Sequence, residues 1–307
     1  MKIKGIGLPF SIHQSSCSNR TPKEFTWTTD DADIEVWMDY HIMEAINTPV
    51  MYGKKRYAWF CESRAIVPYL QQAFNHEQLF PAIVNSYHAI FTCDKELVDR
   101  HEKIHFCFAG SNLPWIDDFN YIAPTKVMGV SFISSSKNMC EGHKKRHQLF
   151  EKIKERTNNE LAIDVYGSII GTSFGAKTGC NLEGYTGNVW HDKTEALNDY
   201  MFSIVMENDS YDTYFTEKIT DCFATGTVPI YYGSKSIGDY FNRDGIIFLD
   251  GDVDKMYNII SQLSPSMYYN RIDAIKDNME RIKNMQMADD MLYSNIKEMN
   301  NDTCNSI

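Results

Sequence analysis

The residues with the most chemistry in them fall in one window, FSIVMENDSYDTYFTEKITDCFATGTVPIYYG at 202–233. An apolar run ends there in Glu207 and Asn208, a polar loop follows, and Thr216 stands where a helix N-cap would. Gly226 and Pro229 close that helix and open the next strand. Polar side chains at the carboxyl end of a strand, facing a helix N-terminus, are where open parallel sheets bind ligands. The unsatisfied N–H groups and positive dipole end of such a helix favour an anion, a diphosphate for instance. Lys218, in the first turn, adds a full positive charge, and Glu217 beside it can accept hydrogen bonds from ribose or sugar hydroxyls. Taken alone, Glu217-Lys218 has the same spelling as an ordinary solvated pair at a helix start, and Asn208 that of a turn residue.

Such a window needs strands and helices to hold it. Short apolar runs alternate with charged, helix-periodic stretches, the pattern of α/β layers around a largely parallel sheet. The pattern predicts strands over 2–6, 57–61, 89–93 and 104–108, with helices over 67–74 and 94–102. A second series predicts strands over 129–133, 162–166, 202–206, 227–232 and 246–248, with helices over 143–156, 194–200 and 216–225. Residues 112–126, with Pro114, Trp115 and Pro124, read as the connection between the two series. Residues 254–299 read as a helical tail, and the Gly-rich stretch 166–184 as a long loop.

Composition sets outer limits. The 307 residues fit two ordinary domains or one large barrel. With 30 basic against 41 acidic side chains, the net charge of −11 argues against a protein that holds nucleic acid by neutralising its phosphates. It leaves room for a local basic pocket around one small anion. The start, MKIKGIGLPF, is charged and broken by Gly5, Gly7 and Pro9 where a signal peptide needs an unbroken apolar run, and no stretch approaches a membrane span. The eight cysteines are scattered, without C-x-x-C pairs, as reduced and mostly buried thiols of a cytoplasmic protein would be. His143 and His147 stand at i, i+4 but lack an evident third metal ligand, so no metal site is expected. Asp31-Ala-Asp33 reads as a solvated face with no flanking strand rather than a metal-binding pair.

The order Glu-Asn, Tyr-x-Thr-Glu-Lys, helix, then Gly-Thr-Val-Pro-Ile-x-x-Gly resembles the donor-binding signature of the α1,3/4-fucosyltransferases, which transfer fucose from GDP-fucose. Upstream, VSFISSSK at 130–137 is similar to the strand and loop that open that family's C-terminal domain. Arg146, ahead of Leu149, Phe150 and Ile153, looks like its diphosphate-binding arginine, and DVYG at 164–167 matches its next strand. The likeness covers residues 130–250 well.

The resemblance implies a GT-B arrangement: two Rossmann-like α/β domains with parallel sheets facing a cleft, residues 1–126 binding the acceptor, residues 127–307 the nucleotide-sugar, and a helical C-terminal tail. It implies an inverting, metal-independent transfer, with GDP-fucose as donor, no cofactor, and a glycan hydroxyl as acceptor. Arg146 and Lys218 would neutralise the leaving diphosphate, Glu217 would contact the ribose, and Asn208 and Tyr214 would line the donor pocket. The base that deprotonates the acceptor would be Glu62, at the end of the strand in KRYAWFCESR, although the family usually has Glu-Asn where this chain has Glu62-Ser63. Two other readings keep the fold: GDP-mannose or another nucleotide-sugar as donor, and a catalytically silent module that binds glycan or nucleotide.

Overall fold

Apolar runs of five to seven residues become strands that are buried along most of their length, as parallel sheets require. The computed structural model describes residues 1–7, 14–17, 20–116, 126–155, 163–167 and 193–305. They form two compact units, one of Met1–Trp115, Asp212–Thr216 and Gln286–Ile307, the other of Ile116–Tyr211 and Glu217–Met285. The expected boundary at 126/127 lies beside residues 117–125, which are outside the described residues.

The first unit holds a six-stranded sheet of β1 (Lys2–Ile6), β2 (Thr26–Thr28), β3 (Ile34–Met38), β4 (Lys55–Phe60), β5 (Ala89–Thr92) and β6 (Ile104–Phe106). The strands run parallel in the order β2-β1-β3-β4-β5-β6. Helices α1 (Pro68–Phe74), α2 (Leu79–Asn85) and α3 (Lys95–Val98) fall between the later strands. Trp37, Ala58, Phe60, Leu70, Phe74 and Ile83 share one core between sheet and helices.

Two of these strands, β2 and β3, lie where the sequence reads as a polar segment. All five residues of β3 are buried, Glu35 included, because Lys4 and Arg56 stand 3.6 and 3.9 Å from its carboxylate. Asp31-Ala-Asp33 therefore does have flanking strands, but Asp31 is exposed and pairs with Lys54 in a solvated contact.

The second unit has the parallel order β8-β7-β9-β10-β11, with β7 (Val127–Ile133), β8 (Ile163–Tyr166), β9 (Tyr200–Met206), β10 (Val228–Tyr232) and β11 (Ile247–Phe248). Helices α4 (Glu141–Glu155) and α5 (Glu217–Ala224) follow β7 and β9, and α6 (Val253–Ser261), α7 (Pro265–Tyr269) and α8 (Ile272–Asn284) complete the unit. The tail is helical as expected, though its last helix, α9 (Ala288–Asn305), groups with the first unit. The helix expected over 194–200 is a 3-10 turn at Lys193–Ala196, and β9 begins at Tyr200. Burial of the whole run Tyr200–Met206 as a central strand overrides the helical spelling before it. Most of the expected Gly-rich loop, residues 168–184, is outside the described residues.

Both sheets share the doubly wound order in which the first strand lies between the second and third. Chain direction away from the sheet therefore reverses between β1 and β3 and between β7 and β9, the places where such sheets leave a ligand crevice at their carboxyl ends. At the second of these, α4 starts against the end of β9: Gly142 donates its N–H to the Asn208 carbonyl at 3.3 Å. A Cβ on Gly142 would lie 2.2 Å from the Glu207 carbonyl oxygen and 2.6 Å from that of Asn208, and backbone cannot swing aside as a side chain can. Gly142→Ala is expected to cost on the order of 1–3 kcal/mol through this overpacking, read as a lowered urea midpoint. An unchanged midpoint would mean that α4 does not need this close approach.

Candidate functional site

The close start of α4 brings its second turn to the carboxyl end of β9. Arg146 is buried there, and its Nη2 donates to the Met206 carbonyl at 2.6 Å and to Asn208 Oδ1 at 2.8 Å. The guanidinium thus fixes which way the Asn208 amide faces, leaving its nitrogen on the other side. Lys218, in the first turn of α5, extends its ammonium to 3.3 Å from the Glu207 carboxylate, which is wholly buried, and to 3.7 Å from Glu217. Glu217 is held in turn by Lys193 at 3.2 Å, and Lys193 also meets Asp221 at 2.7 Å. Burial works against the charge of Lys193, but Asp221 and Glu217 outweigh it and raise its pKa.

Four of the expected residues, Arg146, Asn208, Glu217 and Lys218, are therefore gathered around the end of β9, beside the switch point of the second sheet. Glu207, Lys193 and Asp221 complete the charge network. Glu207 stands in the sequence window as a strand-end residue, but its burial under Lys218 has no signature in the spelling. Lys193 lies 24 residues before Glu217 in the chain, and only the fold brings the two together.

His143 also belongs to this cluster. Its Nδ1 accepts the Met139 N–H at 3.2 Å, so the neutral ring carries its proton on Nε2. Burial, with the positive charges of Arg146, Lys137 and Lys218, lowers its pKa to about 4, against the opposing hydrogen bond of Asn208. Its i, i+4 partner His147 faces the Lys137 carbonyl at 3.1 Å instead. The pair dismissed as a metal site is thus one buried neutral histidine within a cationic cluster and one histidine outside it.

The first unit places Glu62 just past β4, half-buried, with its N–H donated to Asp39 Oδ1 at 3.0 Å. The same carboxylate accepts the Cys61 N–H at 2.9 Å and faces the Cys61 thiol at 2.9 Å. Asp39 ends β3 at the switch point of this sheet, with φ of 42°. Burial raises its pKa despite those hydrogen bonds, and burial beside Asp39 pushes the Cys61 thiol up. Beyond Glu62, Arg64 reaches Asp94 at 2.9 Å and Glu96 at 3.0 Å, fastening this loop to the start of α3. Asp39 escaped sequence reading because β3 did, yet its spelling, an apolar run ending in an acid, matches that of Glu207. Tyr214 is 1% exposed and groups with the first unit, where its neighbour Thr213 donates to the Cys93 carbonyl and Phe215 packs edge-on against Phe108.

The depressed pKa of His143 has a consequence for stability. The folded chain keeps the ring neutral while the unfolded chain protonates it near its ordinary value of 6.5, so the contribution is full above 6.5 and is lost as pH falls towards about 4. The melting temperature of the wild type should therefore fall as pH drops across that window, and His143→Gln should flatten the slope there. An identical pH profile in the variant would contradict the assignment.

Residues 124–264 match the sequence model of the glycosyltransferase family 10 (fucosyltransferase) C-terminal domain. The chain is 43% identical over 56 residues, 18% of its length, to the α-(1,3)-fucosyltransferase FucT of Helicobacter pylori, and 32% identical over 59 residues, 19% of its length, to an α-(1,4)-fucosyltransferase of Arabidopsis thaliana. The matched stretches span 12% and 15% of those relatives' own lengths. A crystal structure of an α1,3-fucosyltransferase with GDP superposes with a TM-score of 0.52 at 14% identity, covering 94% of this chain and 92% of that one. At that identity the match speaks for the fold, which is the GT-B type of two parallel-sheet α/β units. Over residues 124–264 the chain is thus similar to the C-terminal domain of glycosyltransferase family 10, the fucosyltransferases that its motifs resemble.

Proposed function

We propose that the chain is a glycosyltransferase, inverting and metal-independent, that moves L-fucose from GDP-fucose to a hydroxyl of a glycan acceptor. The observation that carries this reading is the gathering of Arg146 and Lys218 at the β9 end of the switch point, inside a family 10 match. In the reaction, the acceptor hydroxyl oxygen attacks the anomeric carbon as Glu62 takes its proton, and the bond from that carbon to the diphosphate oxygen breaks. The electron pair leaves on the diphosphate, where two fixed cations replace the charge stabilisation that a metal would give. Arg146 can hold two phosphate oxygens at once, and Lys218 acts as a point charge.

Glu217 contacts the ribose, with Lys193 setting its orientation, and Asn208 lines the donor pocket; Tyr214, expected beside it, is buried within the first unit instead. Residues 1–126 serve the acceptor and residues 127–307 the donor, except for α9 and residues 212–216, which group with the first unit. Cys17, Cys61, Cys93, Cys107, Cys140 and Cys222 are buried thiols, which suits the reducing cytoplasm that this reading assumes.

Calorimetric titration with GDP, GDP-fucose and GDP-mannose, followed by turnover against a glycan panel, tests the whole proposal. Arg146→Ala and Lys218→Ala should each weaken GDP binding by roughly ten- to a hundredfold, the worth of a charge-assisted hydrogen bond. Glu62→Gln should lower kcat by about 100-fold or more while GDP still binds. Wild-type GDP affinity in both cation variants would sink the donor site, undiminished turnover in Glu62→Gln would remove the base, and tighter binding of GDP-mannose than of GDP-fucose would change the donor. Binding without turnover on any acceptor would favour a silent module.

A further inference from the structure

Beside Glu62 the first unit presents two aromatic rings to solvent. Tyr40 is 47% exposed and Tyr69 37%, whereas Phe60 in β4, Val67 just before α1 and Leu70 within it are buried. Their ring centroids are 5.7 Å apart with the planes inclined at 37°. Both hydroxyls are spent on backbone: Tyr40 donates to the Ile66 carbonyl at 3.0 Å, and Tyr69 donates to the Tyr40 carbonyl at 3.0 Å. The rings are therefore fixed from their edges, and what remains on offer is carbon surface.

Their position follows from Asp39. That residue adopts a left-handed conformation, rarely used by side-chain-bearing residues, and so turns the chain sharply at the end of β3. Tyr40 is the next residue. The Asp39 carboxylate meanwhile holds the N–H of Glu62, and the Tyr40 hydroxyl holds the loop that runs from Glu62 into α1. Tyr69 stands in the first turn of that helix. These hydrogen bonds tie the backbone of Glu62 and of the loop after it to the segments that carry both rings, at the carboxyl edge of the sheet. Burial, with the negative charges of Glu62 and Asp39, raises the Tyr40 phenol, and burial beside Tyr40 raises that of Tyr69 to about 12, so both rings stay neutral.

We infer that Tyr40 and Tyr69 form the platform on which a pyranose ring of the acceptor stacks, with its hydroxyl turned to Glu62. A pyranose has one face of C–H bonds with slight positive charge, which complements the negative face of an aromatic ring, while its rim of hydroxyls suits an adjacent carboxylate. Exposed apolar carbon next to an acid fits an amphipathic ligand of this kind better than an ion or a wholly apolar molecule. The inference rests on the reading of Glu62 as the base, and it assigns the acceptor subsite.

The test uses the full chain with methyl β-galactoside, methyl β-N-acetylglucosaminide and methyl α-mannoside as probes, followed by proton NMR. At least one should bind the wild type with its ring C–H protons shifted upfield by the tyrosine ring currents. Tyr69→Ala should weaken that glycoside by roughly three- to tenfold and remove part of the shift, and Tyr69→Phe should recover both. GDP titration of Tyr69→Ala reports whether the variant is folded. Wild-type glycoside binding in folded Tyr69→Ala, or no binding of any of the three probes to the wild type, would overturn the platform. Failure of the donor reading is a separate result: no GDP binding to the wild type, with the upfield shifts still lost in Tyr69→Ala.

Discussion

Everything at the end of β9 depends on one buried contact, the Arg146 guanidinium seated on the Met206 carbonyl. A charged group this deep is tolerated only when its hydrogen bonds are met, and the strand end supplies the Met206 carbonyl and the Asn208 amide oxygen. Seating it there requires α4 to begin within touching distance of the strand, which is why a glycine occupies position 142. Once seated, the arginine orients Asn208, and burial together with its charge keeps His143 neutral. Lys218 follows the same logic from α5, with Glu207 as the buried counter-charge that makes an ammonium affordable at the strand end.

The two units meet similar structural demands with opposite charges. The five strands of the second sheet follow the order of the first five of the first, and each sheet places a buried ionisable group where chain direction reverses. In the second unit that group is a cation, suited to a leaving anion. In the first it is Asp39, whose carboxylate gathers the amides of Cys61 and Glu62 and thereby sets the loop that carries Glu62. Catalysis by electrostatic preorganisation needs this kind of rigidity, since a charge that must reorganise during reaction loses much of its advantage.

Much of the second unit was legible in the sequence because its chemistry is local. Glu207 to Lys218 lie within one strand, loop and helix start, and Arg146 lies on a helix with clear apolar spacing at Leu149, Phe150 and Ile153. The first unit was harder to read. β3 carries Glu35 in its interior, a charge that only its contacts with Lys4 and Arg56 neutralise, so its run looked too polar for a central strand. With β3 went Asp39 and the platform that follows it. Pairings across long sequence separations, such as Lys193 with Glu217 or His143 with the cations around it, leave no mark in spacing at all. The turn before β9 was misread for a related reason: helical propensity around 194–200 is local, whereas the burial that makes Tyr200 a strand residue is not.

The account stands or falls on whether the cations at the β9 end bind a nucleoside diphosphate. A crystal structure of the chain with GDP tests this most directly. The account predicts the terminal phosphate oxygens within hydrogen-bond reach of the Arg146 guanidinium and the Lys218 ammonium, with a ribose hydroxyl on Glu217. Phosphates bound away from both cations, with Arg146 still seated on Met206 and Lys218 on Glu207, would contradict it.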